Sequence, residues 1–291
     1  MSCRHSEAVA IEIQGGGGMN IDAGRYWDKA WTLVDGCTPV SAGCANCWSA
    51  GMTHRFKQGL TDDKGRWTGE IIIRESRLAL PFRTKKPTVW AVWNDLFHEK
   101  VPLDFISKIW MTMLSNNRHI YLVLTKRPHR MQEVANLLFR DLVTGKPAIS
   151  TAEHIYLGTT VENQQTADER IPHLLQIEGK KFLSIEPMLE KIIIPQKRLK
   201  QFDQVIVGGE TGQKARLLYP DWVRSVRDQC QTSGVPFFFK GFGEWVEVFS
   251  DDYRDSDLTF GLEGFMRRVG KRAAGRILDG RTHDDLAWSK N

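Results

Sequence analysis

From Met19 onward, short apolar runs alternate with segments of helical spacing. The runs are Ala30 to Val34, Val89 to Val92, Ile120 to Leu124, Ile155 to Gly158, Phe182 to Ile185, Val205 to Val207 and Pro236 to Phe239. A lone run of this kind is equally a buried helix segment. Seven of them, with turn residues close behind, predict strands. Between them Phe105 to Leu114, Met131 to Phe139 and Trp222 to Gln231 space their apolar residues as helices do. Strand and helix in alternation imply a parallel sheet buried on both faces. No long linker, repeat or low-complexity block divides the chain. Residues 1–18 end in four glycines and show no sustained period, so they read as a flexible leader carrying an idle Cys3.

The residues just past each strand add a second pattern. After Val34 comes a cysteine-bearing loop. After Val92 come Asn94, Asp95 and His98, and after Leu124 come Thr125, Lys126 and Arg127. Next in the chain are Thr160, Glu162 and Asn163, then Glu186, Glu210 and Lys240. In a parallel barrel or open α/β sheet the carboxyl ends of the strands form one face, where ligands bind. Any one polar loop residue means little, but polar groups at nearly every strand end point to a shared site.

Three of the five cysteines, Cys37, Cys44 and Cys47, fall within eleven residues. An odd count without an export signal speaks against a disulfide framework and for metal or catalysis. The loop Gly36 to Trp48 holds a C-x6-C-x2-C pattern, and thiolates are the natural ligands of clustered iron. A cubane held by three thiolates leaves one iron open to a small amino-carboxylate ligand. Reduced buried thiols and structural zinc are the alternatives, and zinc wants four ligands where this chain has a single C-x2-C, with Cys230 and His54 far from ligand-pair spacing. Cys230 on its helical segment reads as a small core residue.

Charge and length change the picture less. A formal net charge of +5 permits a phosphate-bearing partner without demanding one. The stretch Met266 to Arg281 carries Arg267, Arg268, Lys271, Arg272, Arg276 and Arg281 among glycines and alanines, which suits phosphate contacts or a solvated surface, and both remain open. No stretch nears the roughly 18 to 20 apolar residues of a membrane span, and no signal-peptide layout opens the chain, so no membrane partner and a cytoplasmic location are expected.

At these residues the chain resembles the phage-associated three-cysteine-motif family, a group related to the radical S-adenosylmethionine superfamily. The likeness runs from Trp27 through the cysteine loop, then Asp95-Leu96-Phe97-His98, Leu124-Thr125-Lys126-Arg127-Pro128, Ala167 to Pro172, Leu183-Ser184-Ile185-Glu186-Pro187 and Val205 to Glu210. It continues through Pro236 to Lys240, Gly270 to Arg276 and Leu278 to Arg281. The resemblance implies a partial or complete parallel (βα) barrel with a short C-terminal extension and a [4Fe-4S] cluster near the first strand. It also implies reductive cleavage of S-adenosylmethionine to a 5'-deoxyadenosyl radical. The superfamily's usual spacing is C-x3-C-x2-C with an aromatic before the last cysteine. Here the first gap is six residues and Trp48 follows Cys47. Gly208-Gly209-Glu210 looks like the element that holds the methionine amino group but follows a later strand, so that role is not carried to Glu210.

The expected division is a leader over 1–18, a (βα) barrel over 19–245 with its cysteine loop at 36–48, and a basic extension over 246–291. Cys37, Cys44 and Cys47 are the expected cluster ligands, with Trp48 excluding water beside them. Asn94, Asp95, Thr160 and Glu162 are candidates for cosubstrate contacts, and a turn or helix cap is the other reading of the first two. Lys126, Glu186, Glu210 and Lys240 are the candidate catalytic groups. Ion pairing with nearby lysines and arginines is the other reading of Glu162, Glu186 and Glu210, and a stem covering apolar surface at the sheet end is that of Lys240. Lys126 with Arg127 suits a methionine carboxylate or a phosphate, or forms a solvated pair. Expected partners are S-adenosylmethionine, a nucleotide, DNA or RNA, and a reductant protein of the flavodoxin or ferredoxin type. A non-catalytic zinc or iron-sulfur nucleic-acid-binding module is the competing reading. Metal-assisted hydrolysis is weaker, because no H-E-x-x-H pattern appears.

Overall fold

The computed structural model describes residues 19–56, 58–138, 152–248, 258–261 and 264–289. The proposed leader with Cys3, and Phe139 at the end of one expected helix, lie outside them. In chain order the elements are β1 (Lys29–Ala30), β2 (Val34–Gly36), α1 (Trp48–Arg55), β3 (Ile71–Ile73), α2 (Leu80–Arg83), β4 (Val89–Val92), α3 (Leu103–Leu114) and β5 (Ile120–Thr125). Then come α4 (Pro128–Leu138), β6 (Ile155–Thr160), α5 (Gln164–Leu175), β7 (Lys180–Ile185), α6 (Gln196–Leu199), β8 (Gln204–Gly208), α7 (Pro220–Ser233) and β9 (Phe237–Gly241). The C-terminal part adds β10 (Trp245–Val248), β11 (Leu258–Gly261), β12 (Gly264–Arg268) and α8 (Lys271–Ala274).

Seven strands form one parallel sheet in the order β1-β4-β5-β6-β7-β8-β9, curled into a half-barrel. From β4 on, each strand is followed by a helix and then by its neighbour in the sheet, as the alternation predicts. The strands are apolar on both faces, and the alternation of side chains sorts them. Trp90, Tyr121, Val123, Leu157, Leu183, Val205 and Phe239 pack with Phe105, Ile109, Val134, Ile171 and Val226 of the outer helices. Val89, Leu122, Tyr156, Phe182, Ile206 and Phe238 form the concave face, which Tyr26 and Trp288 cover.

One expected strand is divided. Within the run Ala30 to Val34, only Ala30 belongs to the parallel sheet, while Val34 starts β2 and pairs antiparallel with β3. Between them the Thr32 carbonyl is taken by Arg77 Nη1 at 2.7 Å, and Trp31 Nε1 donates to the Arg77 carbonyl at 2.8 Å. Trp31 N still donates to the Ala91 carbonyl of β4 at 2.8 Å, and Arg77, 45 residues on, takes up the next carbonyl where the chain leaves the sheet.

The C-terminal segment is woven into the fold. β10, β12 and β11 make a separate antiparallel sheet. Beyond it, Phe239 N donates to the His283 carbonyl at 2.9 Å, and Trp288 Nε1 donates to the Tyr26 carbonyl at 3.0 Å, so the tail closes the concave face. Of the basic residues, Arg276 is buried against Asp284 and the Phe239 carbonyl, and Arg268 reaches Glu244 and the Gly212 carbonyl, whereas Lys271, Arg272 and Arg281 are exposed. No helix among the described residues is long and apolar enough to cross a membrane.

Candidate functional site

The cysteine loop leaves β2 through Gly36, whose φ of +92° suits a residue without Cβ, and a Cβ there would stand 2.1 Å from the Glu70 carbonyl oxygen. Cys44 ends a 3-10 turn over Ala42–Cys44, and Cys47 immediately precedes α1. All three thiols are free and half-buried, and Cys37 and Cys47 lean on Ala50, Leu60 and Trp67.

Side chains from the carboxyl ends of four strands grip this loop. From the end of β4, His98 Nε2 lies 2.8 Å from Thr38 Oγ1, and Asn94 Oδ1 accepts from Ser49 Oγ at 3.0 Å. Asn94 adopts φ +55°, a conformation that asparagine tolerates better than most residues. From the end of β5, Arg127 Nη2 donates to the Thr38 carbonyl at 3.0 Å, and its Nη1 lies 4.0 Å from Cys37 Sγ. Beside it Lys126 Nζ lies 3.8 Å from Cys44 Sγ. From the end of β6, Glu162 Oε1 accepts from Ser41 Oγ at 2.7 Å and from Lys126 at 2.6 Å. From the end of β8, Glu210 accepts from Asn46 Nδ2 at 2.9 Å and from Arg216, whose Nη2 also reaches the Ala42 carbonyl.

The two cations next to the sulfurs are themselves locked. Asp95 Oδ2 meets Arg127 Nη1 at 2.5 Å, its Oδ1 accepts from Thr125 Oγ1 at 2.5 Å, and Glu99 takes Arg127 Nε at 2.7 Å. Glu162 is fully buried, and its second oxygen meets Arg170 Nη1 at 3.2 Å. Arg170 also donates to the Thr160 carbonyl at 2.7 Å, which is how Thr160 enters the site. Asn163 caps α5, its side chain accepting from Thr166 N at 2.9 Å.

These surroundings separate the thiols. Burial pushes the Cys37 thiol up to about 12, with the Asp95 charge adding to it and Arg127 only partly opposing. Burial also acts on Cys44, but Lys126 together with hydrogen bonds from Val40 and Ser41 outweighs it and holds this thiol below its ordinary value. For Glu162, burial favours the neutral acid, yet Lys126 and Arg170 keep it below the usual glutamate value. Burial of Glu210 is likewise overcome by Arg216 and Asn46.

Glu186 and Lys240 meet one another rather than the loop. Lys240 Nζ lies 2.6 Å from Glu186 Oε2, and Glu186 Oε1 accepts from Tyr26 OH at 2.9 Å and from Ser184 Oγ at 3.3 Å. They form a second polar group on the concave face. Next to the loop on its other side, a small cleft lies between α1 and the ends of β1 and β4, bordered by Trp48, Ser49, Met52, Trp93 and Asn94. Trp48, at the head of α1, is half-exposed.

Sequence reasoning brought Lys126, Asp95, Glu162 and Glu210 to one place but left out the residues that hold them. Ser41 and Asn46 lie inside the cysteine loop and carry no periodic signal. Arg170 is eight residues beyond Glu162, on the face that α5 turns back to β6. Arg216 sits in an irregular segment between β8 and α7.

The profile of the family described as protein of unknown function (DUF5131) matches residues 23–287, so the chain belongs to that family. No curated protein and no solved structure matches it. Membership brings no activity with it. The radical S-adenosylmethionine relationship and the phage association rest on the resemblance of the motifs alone.

Proposed function

We propose that this DUF5131 chain is a radical S-adenosylmethionine enzyme whose Cys37, Cys44 and Cys47 hold a [4Fe-4S] cluster at the carboxyl ends of the half-barrel strands. The observation that carries this reading is the loop itself: three free thiols, two of them beside fixed cations at 3.8 and 4.0 Å. At Cys44 the neighbouring Lys126 favours the thiolate that binds iron, whereas at Cys37 burial outweighs Arg127. Three free thiols on one loop are the donor type that clustered iron takes, and among the described residues no group of three or more His, Cys, Asp or Glu gathers to hold a metal ion. Cys230, wholly buried among the apolar residues of the outer core, is not a fourth ligand.

Held by Cys37, Cys44 and Cys47, the cluster would supply the electron, taken from a reductant of the flavodoxin or ferredoxin type, for reductive cleavage of a sulfonium carbon–sulfur bond of S-adenosylmethionine to methionine and a 5'-deoxyadenosyl radical. The chain's own residues then bind and orient. The cleft beside Trp48 and Trp93 offers indole surface, with Asn94 and Ser49 as polar groups for the cosubstrate's amino and ribose groups. Arg127, fixed by Asp95, keeps Thr38 and so the first arm of the loop in place. Glu186 and Lys240, at the carboxyl ends of β7 and β9 with Lys240 part-exposed, are the pair able to hold or move a proton on a substrate. The substrate class we favour is a nucleotide or nucleic-acid base, on the strength of exposed Lys271, Arg272 and Arg281.

Anaerobic reconstitution with iron and sulfide tests the ligand set. The wild-type chain is expected to retain roughly four irons and four sulfides. Cys37→Ala, Cys44→Ala and Cys47→Ala each lose them, and Cys230→Ala does not. Stable zinc in their place would move the loop to the nucleic-acid-binding reading.

A further inference from the structure

The two cations beside the cysteine loop stand in opposite surroundings. Lys126, near Cys44, shares the buried carboxylate of Glu162 with Arg170, which makes two cations against one anion. Arg127, near Cys37, is held by both Asp95 and Glu99, which makes one cation against two anions. The Lys126 side chain is only 21% exposed and Glu162 not at all, so water screens this corner weakly. The Cys44 corner is therefore net positive and weakly screened, whereas at the Cys37 corner Arg127 is balanced by buried Asp95, with the 60% exposed Glu99 screened by water.

We propose that Lys126 is a positioning residue that sets the reduction potential of the cluster through Cys44, with Glu162 governing how much of its charge is felt at the sulfur. This rests on the reading of Cys37, Cys44 and Cys47 as cluster ligands. The reduced cluster carries one more negative charge than the oxidised one. Positive charge at a ligand sulfur therefore favours reduction, and negative charge opposes it. Removing the charge of Lys126 lowers the potential, and removing that of Glu162 raises it. A residue that merely braced the loop would move both variants the same way, or neither.

The experiment is a potentiometric titration of the reconstituted proteins, followed by their electron paramagnetic resonance signals. Lys126→Met is expected to shift the one-electron reduction equilibrium about tenfold toward the oxidised form, ~59 mV. Glu162→Gln shifts it in the opposite direction, and Lys126→Arg restores the wild-type value. If Lys126→Met does not fold, Glu162→Gln against the charge-keeping Glu162→Asp reads the same effect, with only the former raised. Clusters that assemble in all variants with unchanged potentials, or with shifts of one sign, would overturn the inference while leaving the ligand set intact. A wild-type chain that assembles no cluster would instead overturn the ligand set, and the inference with it.

Discussion

Gly43 of the cysteine loop lies directly against Glu162 at the end of β6, so close that a Cβ on Gly43 would stand 2.5 Å from Glu162 Cγ. The loop carrying the thiols thus rests on the buried carboxylate that also fixes Lys126. Gly43→Ala is expected to cost about 1–3 kcal/mol through overpacking. Because the strain falls on the loop, iron retention should drop with it. Denaturant unfolding and iron analysis check the two effects, and wild-type values in both would remove Gly43 from the support of the loop.

Arg127 is almost wholly buried and meets Asp95, Glu99 and the Thr38 carbonyl. Arg127→Met leaves Asp95 as a buried charge without its partner, an expected loss of about 3–5 kcal/mol. Adding Asp95→Asn removes that orphaned charge. The double variant should then be less destabilised than the sum of the single ones, which a double-mutant cycle measures directly.

Glu162 gives stability a pH dependence of known sign. Its folded-state pKa lies below the unfolded value, because Lys126 and Arg170 outweigh burial. Its contribution is therefore fully present above the unfolded glutamate range and is lost as pH falls through the folded value. Urea midpoints measured from neutral pH into the acid range should fall less steeply in Glu162→Gln than in the wild type. Parallel curves would show that Glu162 carries no such linkage.

The thiols of the metal-free chain should alkylate unequally. The Cys44 thiol is held below its ordinary value, whereas burial pushes Cys37 and Cys230 up to about 12. Iodoacetamide at mildly alkaline pH, with peptide mass spectrometry over time, should label Cys44 well ahead of Cys37, and Cys230 only on unfolding. Equal rates at Cys37 and Cys44 would contradict the electrostatic difference between their corners.

Much of the scaffold was readable because parallel strands buried on both faces appear as bare apolar runs. Val89 to Val92 coincides with β4, and Ile120 to Leu124 falls one residue short of β5. The division of Ala30 to Val34 was not readable, since it depends on Arg77 capturing the Thr32 carbonyl across the fold. Strands β10 to β12 were missed because Trp245 to Val248 and Gly264 to Arg268 mix apolar with charged residues. Lys126, Glu162 and Glu210 were legible as polar residues at strand ends, where the fold must gather them. Their partners were not. Ser41 reaches Glu162 over 121 residues and Asn46 reaches Glu210 over 164, distances at which no local pattern survives. The tail showed its arginines in the sequence but not that Arg276 turns inward to Asp284, or that Trp288 seals the concave face.

If Cys37, Cys44 and Cys47 hold a cluster with one iron open to S-adenosylmethionine, the cosubstrate must perturb that cluster directly. The most direct measurement is the electron paramagnetic resonance spectrum of the reconstituted, reduced protein, recorded before and after S-adenosylmethionine is added. Expected is a [4Fe-4S] signal that changes on addition and is absent from Cys44→Ala. A cluster signal indifferent to the addition, or a chain that takes up only zinc, would contradict it.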